Sequence, residues 1–497
     1  MSTDNNSRQA GAVQGLAMVL PVITVVMGSA ILAPNFPLIL AAFQEQVPGQ
    51  GAEYLVNALL TIPALCIALF SPLAGALADI YGRRKLLIVA MIIYGFVGTV
   101  PLLVADVWVI LASRFLLGLV EAVIMTCSTT LIGDYFSGKR RDHWLAMQTT
   151  TASASSIVMF PLGGFIGGAF GWNYPFAMYV LSFVLVLLVI FCTWEPTESA
   201  KQKHKASDFP WSKMTLAYIV GLASSVVIMY GLKPFMSGLG WIELYALGIA
   251  VLFALSIPLM TFIGSISNKS QASAAKSAKP FPYKSLAGIM LATAVASVMF
   301  YLLQIKLAQA LGEMNLSGFL AADMNLTLKA SIIIAITSLG IPVGTLVFSR
   351  FSHTPISIFI AIEFFVIAIG FFGMGWAPSV GTMMLFSFIN QFGCGLTLPT
   401  MLTWTMRQLE FEQRGRGAGI FSGYMNGGQF VGPQLLTYLA SVYTYGAIKP
   451  AFGLIGWVAL TVVVVALIAI LLGKGTQRVV YETPEGEVAK GETFALH

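Results

Sequence analysis

Charged side chains are scarce in this chain. Aspartate, glutamate, lysine and arginine make up 10% of its 497 residues, whereas hydrophobic types make up 57%. Soluble globular domains carry about 25% charged residues, so the composition excludes a soluble enzyme and a disordered chain. The four cysteines lie in apolar stretches and lack the spacing of a metal site or a disulfide framework, which indicates packing residues.

Motifs for catalysis and for ATP-driven work are absent. The sequence has no G-x-x-x-x-G-K-[ST] phosphate loop, no H-E-x-x-H pair, no paired cysteine and histidine ligands and no arginine-rich span. The polar segment Met1–Ala12 has no apolar core and cleavage site, so we expect no cleaved signal peptide. We therefore predict a protein that is not an enzyme, holds no metal or cofactor, and draws its energy from an ion gradient.

Long apolar runs dominate what is present. A spanning helix needs about 20 apolar residues, and fourteen runs approach or exceed that length. They predict an all-α polytopic membrane protein with fourteen transmembrane helices. In order, the runs cover residues 13–43, 54–80, 86–104, 108–132, 145–170, 176–192, 214–232, 241–266, 286–305, 330–348, 356–376, 381–404, 417–439 and 451–472.

The basic residues support this count. With both termini in the cytoplasm and the runs alternating, 22 of the 27 lysines and arginines fall on the cytoplasmic side. Lys233, Lys329 and Lys449 fall outside, and this bias is the one that sets membrane topology. The net charge of +6 is therefore attributed to topology and not to a nucleic-acid partner. A twelve-span arrangement, with the pair 214–266 lying in the membrane interface, stays open because that pair begins and ends inside.

The runs group as six, two and six, and this grouping predicts the domain organisation. The central pair is predicted to be a spacer between two six-helix bundles. The predicted segments are an N-terminal tail 1–12, a first bundle 13–194, a linker 195–213, the two additional helices 214–266, a linker 267–284, a second bundle 285–475 and a C-terminal tail 476–497.

The two bundles also repeat each other. The segment Gly75–Lys85 follows the second run, and a weaker version, Gly344–His353, follows the corresponding run of the second bundle. Repeated halves are typical of secondary transporters, which bind substrate near the membrane midplane between the halves.

At these residues the sequence resembles the major facilitator superfamily. Gly75–Lys85 matches its G-x-L-x-D-x-x-G-R-R-K signature, and Arg114 and Gly118 match the R-x-x-x-G signature of its proton-coupled drug exporters. Pro34 and Pro37 are similar to the P-x-x-P of those exporters. The resemblance extends over nearly all of residues 13–475 and, with the extra central pair, implies the fourteen-span drug:proton antiporter branch.

The sequence departs from this branch at two places. The antiporter motif G-x-x-x-G-P-x-x-G-G is partial, because Ser156, Phe160 and Phe165 replace three of its glycines while Pro161 and Gly164 remain. The branch usually carries an acid in its first span, but the segment 27–30 reads Met-Gly-Ser-Ala. The second departure removes the acid that usually forms the proton site of the branch.

One set of residues is predicted to act in gating. A glycine permits close helix approach or a sharp turn, and a carboxylate can face the positive end of a neighbouring helix. We expect a conformational latch that holds the halves together on the cytoplasmic side, although the basic run alone would also serve as a topology anchor. The predicted latch residues are Gly75, Asp79, Gly82, Arg83, Arg84, Pro161 and Gly164.

Ionisable residues within spans are the candidates for proton coupling, because they are costly in a membrane and usually functional. Arg114 and Glu121 lie two turns apart on one face of the fourth span. We expect Glu121 to carry the proton and Arg114 to tune it, with a structural polar clamp as the alternative. Glu363, in the eleventh span, is a further candidate for coupling or a polar packing residue.

Neutral polar residues on several spans are the candidates for substrate binding. Each alone is more often an interhelical hydrogen bond, but together they predict a mildly polar cavity. Lys306 either reaches the membrane interface or attracts an anionic substrate. The predicted set is Asn35, Tyr301, Gln304, Lys306, Asn390, Gln391, Tyr424, Asn426 and Gln429.

These observations predict a proton-coupled secondary transporter that works by alternating access. We expect it to export small amphipathic or hydrophobic compounds by antiport. Proton symport or facilitated uptake of a small organic solute is one alternative, and a non-transporting membrane receptor on a transporter fold is another. The expected partners are a small-molecule substrate, protons and the lipid bilayer, and we expect a monomer in a bacterial inner membrane.

Overall fold

The computed structural model describes residues 10–49, 51–195, 282–314, 316, 318–320, 324–351, 354–409 and 414–472. The predicted central pair 214–266 lies outside these residues, as do most of its two flanking linkers and the C-terminal tail. Within the described residues the regular structure is helical, which confirms the all-α prediction.

The first bundle consists of nine α-helices in its described part. Its first apolar run is broken twice, at Pro21 and at Pro34, because proline lacks the N–H that would continue the helix. Short 3-10 segments lie at Ala33–Asn35 and Tyr174–Val180. The helices are α1 (Ala12–Val19), α2 (Val22–Ala30), α3 (Phe36–Gln46), α4 (Gly51–Tyr81), α5 (Arg83–Gly98), α6 (Val100–Leu103), α7 (Val107–Tyr135), α8 (Gly138–Phe170) and α9 (Leu181–Cys192).

The described part of the second bundle has seven further helices. They are α10 (Tyr283–Gly312), α11 (Leu326–Ser338), α12 (Gly340–Phe351), α13 (Ile356–Trp376), α14 (Val380–Arg407), α15 (Arg414–Tyr443) and α16 (Ile448–Leu471). Ten segments of the described chain are long and apolar enough to cross a membrane. Helices α14 and α15 are not among them, because glycine, threonine, asparagine and glutamine lower their hydropathy. The count of fourteen spans stays a prediction.

The two bundles meet in a symmetric way. Helix α4, the second span of the first bundle, packs on α15, the fifth span of the second bundle. The reciprocal pair is α8, the fifth span of the first bundle, with α11, which begins the second span of the other. The first spans also meet, because α10 contacts α3 and the 3-10 segment before it. Exchanging the bundles leaves this set of pairs unchanged, as expected for repeated halves.

The long axis of the structure has two distinguishable ends. The basic end is defined here by the turn at Gly82 between α4 and α5, by the start of α8 and by the end of α14, where arginines gather. The far end is the opposite one, where α3 leads into α4 and α15 leads into α16. Hydrogen bonds between the bundles are found at the far end, for example from the Asn57 side-chain amide to the Thr437 hydroxyl at 2.9 Å.

A glycine stripe on α8 explains how closely the spans approach. A Cβ atom on Gly163 would lie 2.3 Å from the carbonyl oxygen of Ile31 in the first span. A Cβ on Gly164 would lie 2.4 Å from the side chain of Ser331 on α11, across the interface between the bundles. Since real Cβ atoms do not approach so closely, only glycine allows α8 to contact both its own bundle and the other one here.

Candidate functional site

A cavity of about 340 Å³ lies between the two bundles. Helices of both bundles contribute to its wall, which is mostly apolar and includes Phe160, Phe300 and Phe421. Its polar side chains are those of Ser29, Glu121, Gln148, Thr149, Ser153, Ser156, Tyr301, Gln304, Ser338, Ser422, Asn426 and Gln429. The described wall contains no lysine, arginine or histidine. An apolar wall with a few convergent polar groups is the common form of a small-molecule site.

Glu121 is the ionisable acid of this wall. It lies on α7 and is 1% exposed, and its Oε1 atom has no hydrogen-bond partner among the described residues. A Cβ atom on Gly28 would lie 2.5 Å from this oxygen. The carboxylate therefore occupies the space beside the first-span segment in which the sequence has no acid.

Arg114 is held within the first bundle, and Tyr179 links it to the first-span segment beside the Glu121 carboxylate. The guanidinium donates to the Tyr179 hydroxyl at 2.8 Å and to the Gly98 carbonyl at 3.0 Å. It also lies 5.0 Å from the ring centroids of both Phe176 and Tyr179. Tyr179 in turn donates to the carbonyl of Gly28 at 3.0 Å. Arg114 thus fixes the first span beside Glu121 through Tyr179. Charge-assisted hydrogen bonds and aromatic contacts offset part of the cost of burying the guanidinium, whose Nε atom has no hydrogen-bond partner among the described residues.

Glu363 lies elsewhere. It is fully buried on α13, and neither of its carboxylate oxygens has a hydrogen-bond partner among the described residues. It is not part of the cavity wall. Glu363 packs within the second bundle. A Cβ atom on Gly393 of α14 would lie 3.2 Å from the backbone carbonyl oxygen of Glu363. A coupling role for Glu363 stays a prediction.

Four of the predicted substrate residues meet in the wall, namely Tyr301, Gln304, Asn426 and Gln429. The structure places the other five away from it. Asn35 donates to the carbonyls of Ile31 and Gly163, Asn390 donates to the Ile367 carbonyl, and Gln391 is buried beside it on α14. Tyr424 packs against Leu286, Ile289 and Met290 in a separate apolar cluster. For these residues a substrate role stays a prediction, and the hydrogen bonds from Asn35 to Gly163 and from Asn390 to Ile367 join different helices.

Lys306 is the last of the five predicted substrate residues that lie outside the cavity wall. Its ammonium contacts the first bundle. Its Nζ atom lies 2.6 Å from the Glu53 carboxylate at the start of α4. Sequence analysis missed Glu53, although an acid in the first turn of a span was a visible signal. Nearby at the far end, Glu313 accepts hydrogen bonds from the backbone N–H groups of Ile448 and Lys449. Burial raises the pKa of the Glu313 carboxyl, and these hydrogen bonds oppose the rise.

Sequence analysis also missed a polar face of α8. Gln148, Thr149, Ser153 and Ser156 line the cavity together. Residues three and four apart share one helix face, so the spacing of Thr149, Ser153 and Ser156 was the available signal. The Gln148 side chain is held by Ser128 and Thr129 of α7 at 3.1 Å each.

Three of the predicted latch residues, Gly82, Arg83 and Arg84, brace the first bundle at the basic end. Gly82 has φ +96°, and Arg83 forms an ion pair with Asp134 at 2.6 Å. The Glu195 carboxylate accepts from the backbone N–H groups of Arg84 and Lys85, at the N-terminus of α5. A Cβ on Gly75 would meet only an ordinary contact with Thr126 at 3.8 Å. The side chain of Asp79 lies outside the described part of the chain.

The contacts of Gly82, Arg83 and Arg84 lie within the first bundle. The other two, Pro161 and Gly164, lie inside α8, where Gly164 packs against Ser331 of the second bundle. A latch that joins the bundles at the basic end stays a prediction. Arg84 adds to the brace, because its guanidinium donates to the Thr193 hydroxyl at 2.9 Å and to the Ile190 carbonyl at 2.8 Å. Thr193 and Glu195 were not singled out from the sequence, since each lies more than 100 residues from Arg84, which it contacts.

The chain is similar to known proteins in sequence and in fold. It matches the family model of the Major Facilitator Superfamily over residues 18–311 and 305–494. A curated relative, the quinolone resistance protein NorB of Staphylococcus aureus (strain MW2), is 27% identical over 235 residues. That match covers 47% of this chain and 49% of the relative, so the chain spans about half the length of the curated relatives it matches.

Two solved structures show the likeness of fold. The peptide transporter POT in complex with sulfate superposes with a TM-score of 0.65 at 16% identity, covering 95% of this chain and 99% of that one. The xylose transporter XylE from E. coli in an inward open conformation gives 0.61 at 13% identity, covering 95% of this chain and 98% of that one.

Proposed function

This chain belongs to the major facilitator superfamily, and on that premise we propose that it exports small amphipathic compounds in exchange for protons. The family makes it a multi-pass membrane transport protein with a small-molecule substrate, and not an enzyme. The proposal concerns the finer points: the direction of transport, the coupling ion and the chemistry of the substrate.

The observation that carries the proposal is the Glu121 carboxylate in the cavity wall. Its Oε1 atom has no protein donor among the described residues, and the described wall offers no basic side chain. An unpaired buried carboxylate is stabilised by whatever cation reaches it, either a proton or the amine of a substrate. Both cannot occupy it together, and mutual exclusion at one group is what couples export to proton entry.

The wall also indicates the kind of substrate. Phe160, Phe300, Tyr301 and Phe421 offer aromatic faces, while Gln304 and other neutral groups offer hydrogen bonds. Aromatic rings attract cations as well as apolar surface. We therefore favour flat aromatic compounds that carry one amine. The matched relatives are named quinolone resistance proteins.

The proposed cycle uses the two ends of the structure. The basic end faces the cytoplasm, both termini lie there, and the cavity receives substrate from that side while far-end contacts such as Asn57–Thr437 keep the outside closed. The cationic substrate displaces the proton from Glu121, the bundles rock about the cavity, and an external proton then releases the substrate. We place the protein in a bacterial inner membrane as a monomer without a cofactor, with the pair 214–266 as a two-span spacer between the bundles.

Uptake by proton symport is the second candidate. It is favoured by the departures from the exporter pattern, namely the missing first-span acid near Gly28 and the replaced glycines at Ser156, Phe160 and Phe165. In symport the substrate and the proton would move together, so the two candidates differ in the sign of their response to a gradient.

Imposed proton gradients in proteoliposomes test the proposal. The full chain is reconstituted, and uptake of a fluorescent aromatic amine and of a quinolone is followed with the lumen either more acidic or more alkaline than the bath. Antiport predicts accumulation only into the acidic lumen, because outgoing protons then drive substrate inward. Accumulation only into the alkaline lumen would establish symport, and equal rates under both gradients would exclude coupling to protons. Protein-free liposomes measure passive entry of the amine.

A further inference from the structure

The ammonium of Lys306 has a complete set of hydrogen bonds. Its Nζ atom donates to the Glu53 carboxylate at 2.6 Å, to the Thr437 hydroxyl at 2.8 Å and to the Gln309 side-chain carbonyl at 2.9 Å. An ammonium has three donors, so all are used. The side chain is 0% exposed and lies 4.5 Å from the ring centroid of Phe36.

Thr437 is equally well bonded. Its hydroxyl donates to Glu53 at 2.7 Å and accepts from Lys306 and from the Asn57 amide at 2.9 Å. A hydroxyl has one donor and two acceptor positions, so this group too is satisfied. Buried groups whose hydrogen bonds are all made, as those of the Lys306 ammonium and the Thr437 hydroxyl are, favour one arrangement of the helices that hold them.

The network is divided between the two bundles. Glu53 and Phe36 belong to the first bundle, whereas Lys306, Gln309 and Thr437 belong to the second. Separation of the bundles at the far end would leave the ammonium with Gln309 and Thr437 and remove its carboxylate and its aromatic contact. The network also lies directly beside the cavity, since Gln304 and Ile305 of the same helix line the wall.

We propose that Glu53, Lys306 and Thr437 form a far-end lock that keeps the cavity closed on this side and must break before substrate can leave. The proposal rests on the alternating-access function above and adds to it the residues that hold one end shut. Its physical basis is the cost of burying a charge without its partner, which is several times the net gain from the complete pair.

Because an unpaired buried charge is costly, replacing one member of the Glu53–Lys306 pair is expected to have a different effect from replacing both. Glu53→Gln leaves the Lys306 charge in the closed interface without its ion-pair partner, and Lys306→Gln does the same to the Glu53 carboxylate. The combined variant Glu53→Gln, Lys306→Gln removes both charges and leaves amides that hydrogen-bond across the gap. Each single change is therefore expected to open the far end, and the double change to close it again.

Spin-label distances across the far end test the lock. The spin labels are attached at Leu103→Cys on the first bundle and at Tyr443→Cys on the second. The native side chains at these two positions are 88% and 65% exposed, so cysteines there are accessible to the labelling reagent. The full chain is placed in lipid nanodiscs, and the distance distribution is recorded without substrate and without a proton gradient. Glu45→Gln is the matched control, because Glu45 is an exposed carboxylate of α3 at the same end.

The expected result is a rise of about 100-fold in the ratio of open to closed molecules for Glu53→Gln and for Lys306→Gln. The double variant should return within about tenfold of the parent protein, and Glu45→Gln should match the parent. Unchanged distances in both single variants, or a double variant as open as the singles, would overturn the lock. Since neither substrate nor gradient is used, a failed transport assay does not affect this outcome.

Discussion

Replacement of Glu121 by glutamine is expected to abolish accumulation of substrate against its gradient. A proton gradient of one pH unit corresponds to about 1.4 kcal/mol and can sustain at most about tenfold accumulation per proton exchanged. Glutamine keeps the size and hydrogen-bonding capacity of a neutral carboxyl but cannot exchange a proton. The accumulation ratio in proteoliposomes should therefore fall to one, while downhill movement of substrate through the cavity continues.

Two matched changes make this result specific. Glu45→Gln alters an exposed carboxylate at the far end and should leave accumulation unchanged. Glu363→Gln alters a buried carboxyl that is not part of the cavity wall, and should also leave it unchanged. Full accumulation by the Glu121 variant would refute the assignment, and a loss confined to Glu363→Gln would move the coupling site into the second bundle.

Replacement of Arg114 by methionine is expected to destabilise the first bundle and to alter coupling. The change leaves the Gly98 carbonyl without its donor, and it removes cation–π contacts with Phe176 and Tyr179. A buried unsatisfied acceptor costs about 1–3 kcal/mol and a desolvated cation–π contact about 2 kcal/mol, so the free energy of unfolding should fall by about 3–5 kcal/mol. Thermal unfolding of the purified chain in detergent measures the loss.

Arg114→Lys separates positioning from charge. Lysine keeps the positive charge but cannot reproduce the planar fork that binds the Tyr179 hydroxyl and the Gly98 carbonyl together. It should recover little of the stability. The pH at which transport is half-maximal should rise in the methionine variant and stay near the native value in the lysine variant, because a nearby cation opposes protonation of a carboxylate. Equal pH profiles in all three proteins would restrict Arg114 to a purely structural role.

Hydropathy located the helices because lipid selects for apolar composition and is indifferent to local dihedral angles. The same property hid the breaks in the first span at Pro21 and Pro34, which lie inside one uninterrupted apolar run. Glu121 was accessible from sequence since an acid within a span is costly wherever it points. Its position beside Gly28 was not, because it depends on how α7 packs against α2.

The face that a polar residue presents was harder to predict than its depth. Gln304 and Asn426 line the cavity, whereas Asn390 donates to the Ile367 carbonyl. When small residues lie on several sides of a helix, no single polar face indicates which side lines the cavity. The Glu53–Lys306 pair was hidden for another reason, since 253 residues separate its members and only the association of the bundles joins them.

Proton release on substrate binding is the most direct measure of the central claim that proton and substrate compete for Glu121. The purified full chain is equilibrated in weakly buffered detergent solution, a saturating aromatic amine is added, and the change in pH is recorded. The account predicts release of about one proton per bound substrate from the native protein, and none from the Glu121→Gln variant. Binding without proton release, or equal release from both proteins, would contradict it.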